Sequence, residues 1–190
     1  MAKDDNSVNI AEKPYHHGDL RAALIAEGLR ILTTRDAESL SLREVARAAG
    51  VSATSVYRHF PDKAALLTAL AMDGLARLGT AQRVAGEEAG GGAAGFAATG
   101  RAYVRFALAN PGLFRLIFAS DALAPFRTDG AIPSEANSLL QANAAALAAS
   151  DGGEANIHAV QAWALVHGLA MLMLDGQIPA DDAIIDRAIG

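Results

Sequence analysis

The sequence predicts an all-α protein: a three-helix, helix–turn–helix unit followed by a larger helical bundle. Three observations carry this. Alanine is abundant while valine, isoleucine and threonine are sparse, which favours helix over strand. No stretch shows sustained two-residue alternation of apolar and polar side chains. Breakers at GEEAGGGAAG (86–95), Asn110-Pro111 and SDGG (150–153) separate stretches of helical length.

Taken in order, residues 1–14 are polar and read as a mobile arm. Asp19 suits an N-cap for a helix to about Thr34, with Leu20, Leu24, Leu29, Ile31 and Leu32 as its apolar positions. Ser41 opens a second helix, and SLRE fits a capping box with Glu44 three residues after the cap. That helix ends at the Ala49-Gly50 turn. A third, short helix runs from Ser52 to about His59. Pro61 suits the first turn of a fourth, expected over 62–84 as a connector between a unit at 15–62 and a domain at 63–190. Further helices are expected at 95–109, 111–119, 133–149, 154–174 and 180–189, with 120–133 a loop or short irregular helix.

Composition excludes several classes of function. There is no cysteine, hence no disulfide framework and no thiolate chemistry. No HExxH, GxSxG or phosphate-loop pattern occurs, so no enzyme is expected and no cofactor is implied. The adjacent His16 and His17 lack companion ligands, so no metal site is expected. The first residues lack the basic start and apolar run of a secretory signal. The longest apolar run, 162–174, is interrupted by His167 and falls short of the roughly 20 residues a membrane-spanning helix needs. A cytoplasmic protein without membrane association is the expectation.

The stretch REVARAAGVSATSVYRHFPDK concentrates hydrogen-bonding side chains around few apolar anchors. Two short helices joined by a glycine-containing turn form a helix–turn–helix. Leu42, Val45 and Ala46 fit the buried face of the first helix, Val56 and Phe60 that of the second. A recognition helix presents its N-terminal residues to base edges while its neighbours hold phosphates. On that logic Arg43, Thr54 and Ser55 face bases, and Ser52, Tyr57, His59 and Lys63 face phosphates. Ser41, Ala53 and Arg58 complete the expected DNA-binding set. Net charge is −5, and residues 1–75 hold nine Lys/Arg against ten Asp/Glu. Binding to double-stranded DNA must therefore rest on placed contacts rather than bulk charge. The alternative is a polar surface helix in an ordinary bundle.

SLREVARAAGVSATSVYRHFPDKAALLTAL, with YHHGDLRAALIAEGLRIL before it, resembles the DNA-binding domain of the tetracycline-repressor (TetR) family of bacterial regulators. The elements that carry the likeness are Glu44, Val45, Ala46, the Ala49–Ser52 turn, Tyr57, His59-Phe60, Lys63 and Leu66-Leu67. Many members have glycine or alanine where Thr54 stands, so the operator sequence does not carry over. The resemblance implies a repressor that binds a palindromic operator as a homodimer and is released by a small-molecule effector.

The second part offers two further features. Four of the chain's ten aromatic residues, Tyr103, Phe106, Phe114 and Phe118, fall within YVRFALANPGLFRLIF and either line an apolar pocket or form plain core. Trp163 and His167 stand four apart on one helical face, with Gly168 beside them. Following NPGLFRLIF, this resembles a C-terminal domain type of the same family marked by a Trp…His-Gly signature. That resemblance places Trp163 at a pocket wall, with His167 bonded helix to helix or to ligand. The helix at 154–174 is apolar on nearly all sides, so it must be buried on several faces, in part by a second subunit. Scarce buried charge suggests an apolar effector. A helical ligand- or partner-binding module that has lost sequence-specific DNA binding is the competing class.

Overall fold

A computed structural model describes residues 20–118, 120–127 and 132–190. The polar arm, His16, His17 and the Asp19 cap lie outside the described residues. Among those described there are helices and turns but no strands.

Helix α1 (Leu20–Leu32) buries Leu20, Leu24, Ile25, Leu29, Ile31 and Leu32 as one stripe. A single 3-10 turn at Ala37–Ser39 leads to α2 (Leu42–Ala48), then α3 (Ala53–Tyr57) and the long α4 (Lys63–Glu88). Leu24, Leu32, Leu40, Val45, Val56, Phe60 and Leu66 are almost wholly buried and share one core. Gly50, at φ +70°, makes the left-handed turn between α2 and α3 that a side chain would strain. Two caps match expectation: Ser41 Oγ accepts from the Glu44 N–H and Ser52 Oγ from the Ser55 N–H. Helix α4 is capped instead by Asp62, whose carboxylate oxygen accepts from the Ala65 N–H, so Pro61 precedes the cap rather than standing in the first turn. The capping box is only half made. The Glu44 carboxylate pairs with Arg35, whose guanidinium also donates to the Ser39 hydroxyl and carbonyl.

The bundle continues with α5 (Gly92–Ala109), α6 (Pro111–Phe118), α7 (Glu135–Asp151), α8 (Ala155–Leu174) and α9 (Asp182–Ala188). Helix α4 is the hub, packing on α1, α5, α6 and α7. The stretch 86–95 breaks helix less than its glycines suggest. Helix α4 runs through Glu88, and α5 resumes at Gly92. Gly86 and Gly95 instead allow α4 and α5 to touch, since a Cβ on Gly95 would sit 2.9 Å from the Gly86 carbonyl oxygen. A similar contact joins the two parts of the chain at Gly112, where a Cβ would lie 2.6 Å and 2.7 Å from the carbonyl oxygens of Arg35 and Leu32. Within 120–133, a 3-10 turn at Asp121–Phe126 buries Leu123 completely.

Helix α8 is only partly buried within the single chain. Ala159, Leu169, Ala170 and Met173 are buried, but Ile157, Val160, Trp163, Leu165 and Leu172 are exposed in the single chain. Counted over all 20 residues it is, by length and composition, apolar enough to cross a membrane, which the shorter run at 162–174 is not.

Candidate nucleic-acid interface and ligand cavity

All ten expected DNA-facing residues of the helix–turn–helix keep some solvent exposure. Ser41, Arg43, Ser52, Thr54, Tyr57 and Arg58 are exposed, while Ala53, Ser55, His59 and Lys63 are half-buried. Their anchors point the other way, with Val45 and Val56 wholly inaccessible. Two members have local duties. Ser52 Oγ and Ser55 Oγ lie 2.9 Å apart, so this pair is held at the start of α3 by its own hydrogen bonds. Lys63 Nζ donates to the Glu38 carbonyl, tying the start of α4 to the turn that precedes α2.

In the second part, α4, α5, α7 and α8 enclose a cavity of ≈680 Å³. That is ample for a drug-sized molecule. Leu75, Leu78, Phe96, Leu140 and Val166 give it apolar walls. At one side a hydrogen-bond chain crosses between helices. The Trp163 indole N–H donates to the Tyr103 hydroxyl oxygen at 3.4 Å, and the hydroxyl lies 2.9 Å from His167 Nδ1. Since the indole is donor-only, the tyrosine oxygen accepts there, and the imidazole tautomer sets the direction of the bond between the hydroxyl and Nδ1. Burial lowers the His167 pKa and raises that of Tyr103, so both remain neutral near pH 7. One turn earlier on α5, the Thr99 carbonyl accepts from the Gln82 side-chain amide at 3.3 Å. Its Oε1 is buried without a hydrogen-bond partner.

Comparisons with known proteins place this architecture. Residues 24–70 match the family model described as bacterial regulatory proteins, tetR family, and residues 96–189 match the tetracyclin repressor-like C-terminal domain. The chain belongs to the tetR family of bacterial regulatory proteins. It is similar to the structure of a protein of unknown function from Rhodococcus sp. RHA1, with 34% identity, a TM-score of 0.73 and coverage of 94% of this chain and 95% of that one. A TetR family transcription regulator from Marinobacter aquaeolei VT8 shares the fold at 19% identity and TM-score 0.65, covering 90% and 92% of the two chains. So does a TetR variant from Acinetobacter baumannii AYE in complex with minocycline, at 20% identity and TM-score 0.58 over 88% of each chain. No curated protein sequence matches the chain.

This TetR-family protein is thus a helix–turn–helix transcription regulator with an all-α C-terminal domain. Four of its expected cavity residues, Tyr103, Phe118, Trp163 and His167, do line the space. Phe106 and Phe114 do not. Phe114 is fully buried beneath the cavity, 5.5 Å from the Tyr103 ring, 4.9 Å from Phe118 and 5.6 Å from His167, centroid to centroid. Phe106 packs half-buried against the main core. Each shares a helical face with a residue that lines the space, Phe106 one turn beyond Tyr103 and Phe114 one turn before Phe118, but sits deeper along its helix, with the rings of Tyr103, Phe118 and His167 around Phe114. Nδ1 of His167 bonds helix to helix, to α5. Sequence reasoning missed Gln82, Thr99 and Asn137, because an isolated polar residue on an amphipathic helix carries no sign of the space it faces, and Phe96, because a lone aromatic reads equally well as core.

Proposed function

We propose that this regulator is a repressor that binds a palindromic operator as a homodimer and lets go when a small, largely apolar effector fills the cavity. One observation carries the reading. Helix α4 starts beside the recognition helix, at Lys63, and forms a wall of the cavity at Leu75, Leu78 and Gln82. A molecule that prefers one setting of α4 shifts the population of recognition-helix placements, and only by its difference in affinity for the two settings. A second route runs through α6, whose Phe118 lines the cavity and whose Gly112 touches the end of α1.

The dimer reading rests on α8. Leu165, Gly168 and Leu172 stack on one face of it, both leucines are exposed, and no atom lies within 4 Å of a Cβ built on Gly168. A second copy of the same face covers that surface and sets two recognition helices about 34–36 Å apart, one turn of DNA. Arg43, Thr54 and Ser55 then read bases, while Ser52, Tyr57, His59 and Lys63 hold phosphates. The regulator works in the cytoplasm, where its operator is.

Selection of DNA from a random pool, followed by titrations over a range of salt concentrations, tests this. A two-fold symmetric site and a steep fall of affinity with salt are expected. No enrichment over background would instead favour a ligand-binding module that no longer reads DNA.

A further inference from the structure

The cavity carries one polar atom that the fold does not use. Gln82 is 8% exposed, and its amide orientation is fixed because only the NH2 group can face the Thr99 carbonyl. Oε1 is left inaccessible to solvent and without a partner, the one such side-chain atom among the described residues. A buried acceptor without a donor is costly, and native structures hold few of them. Thr99 Oγ1, Tyr103 and Trp163 already have partners: Thr99 Oγ1 donates to the Phe96 carbonyl, and Tyr103 and Trp163 bond each other. Among the described residues no aspartate, glutamate or lysine lines the cavity, and the one arginine among them, Arg127, is exposed. Its described lining therefore suits an uncharged ligand.

We propose that Gln82 is the specificity-determining residue of the cavity, accepting a hydrogen bond at Oε1 from the hydroxyl or amide N–H of an uncharged, mostly apolar ligand. The inference rests on the cavity being the effector site. Gln82 borders the cavity, so a small tilt of its side chain that keeps the N–H on the Thr99 carbonyl brings Oε1 to a donor there. A ligand that supplies the donor offsets the cost of the unmet acceptor, and it does so on α4, the helix that leads to the recognition unit. That differential contact is what a ligand needs if it is to favour one arrangement over another.

Matched probes test this: para-phenylphenol, and its methyl ether, in which the donor is blocked. Binding to the full-length protein is followed through Trp163, the chain's one tryptophan, which lines the cavity. The phenol should bind about tenfold more tightly than the ether, as expected for one hydrogen bond to an otherwise unmet acceptor. In Gln82→Met, which keeps the length and loses the acceptor, the ratio should fall to within about twofold while the ether still binds. The variant should melt no lower than wild type, since the Thr99 carbonyl keeps its partner within α5. Equal binding of both probes to wild type overturns the assignment and leaves the cavity reading intact, as does discrimination that survives in Gln82→Met. Failure of both probes to bind overturns the cavity reading and this inference with it.

Discussion

Gly112→Ala is the most exacting test of how the two parts of the chain are joined. Residue 112 sits in the first turn of α6, against the last turn of α1 and the loop that follows it. An added Cβ would lie 2.6 Å from the Arg35 carbonyl oxygen and 2.7 Å from that of Leu32. Carbon–oxygen contacts ordinarily begin at about 3.3 Å. Helix α6 must therefore lift by roughly 0.6 Å, since both obstacles are backbone and neither can rotate aside. Alanine in place of glycine favours a helix by up to about 1 kcal/mol, whereas overpacking of this kind costs about 1–3 kcal/mol. Strain wins, and a net loss of about 1–2 kcal/mol lowers Tm by roughly 2–8 °C in a chain of this size. Thermal melts by far-UV circular dichroism measure it. Gly28→Ala is the control, because its Cβ would meet methyl groups of the Leu70 side chain at 2.8 Å and 3.0 Å. A side-chain tip can turn, so that variant should stay within about 1 kcal/mol of wild type. If Gly112→Ala melts at or above the wild-type temperature, or if Gly28→Ala is equally damaging, the distinction between backbone and side-chain obstacles fails here.

Four further expectations concern function and pH. Lys63→Ala should weaken binding to all DNA sequences alike and reduce the salt slope by about one; loss of its bond to the Glu38 carbonyl, at an exposed site, should lower Tm only slightly. Thr54→Ala should change preference among operator variants in competition assays; an equal loss on every sequence removes Thr54 from the base-reading set. Leu172→Arg should convert a dimer to a folded monomer in light scattering, because Leu172 is exposed in the single chain; an unchanged mass places the interface elsewhere. His167 has a folded pKa held below its ordinary value of 6.5 by burial, so the unfolded chain takes up the proton first. Its contribution to stability is therefore complete above about pH 6.5 and is lost as pH falls from there through the lowered folded value. Over the same range His167→Gln should flatten the Tm-versus-pH curve relative to wild type.

Legibility in the sequence followed the range of the forces involved. Caps at Ser41 and Ser52, and the glycine turn at 50, are local events, and the residues that make them lie three or four apart. The likeness of 15–70 to a known DNA-binding domain was readable for that reason. Glycines at 86 and 95 misled, because a glycine that permits a turn and one that permits two helices to touch look alike in one dimension. Phe106 and Phe114 misled similarly. Aromatic content marks a dense region, but which ring borders a cavity depends on how α5 and α6 rotate against α8, some 60 residues away. Gln82 was illegible altogether, since its significance is an unmet hydrogen bond whose missing partner is no part of the chain.

Helix α8 has one more consequence, for anyone seeking to redirect this protein to a new inducer. Val160 and Trp163 border the cavity and are also 62% and 42% exposed along the apolar flank of the helix. A substitution there edits two properties at once, so libraries built on α8 will confound altered selectivity with altered assembly. Leu140 and Gln141 on α7, and Phe96 on α5, border the same space from helices outside that flank. A biosensor would be retuned from those positions first, with α8 held fixed until selectivity and assembly are scored by separate screens.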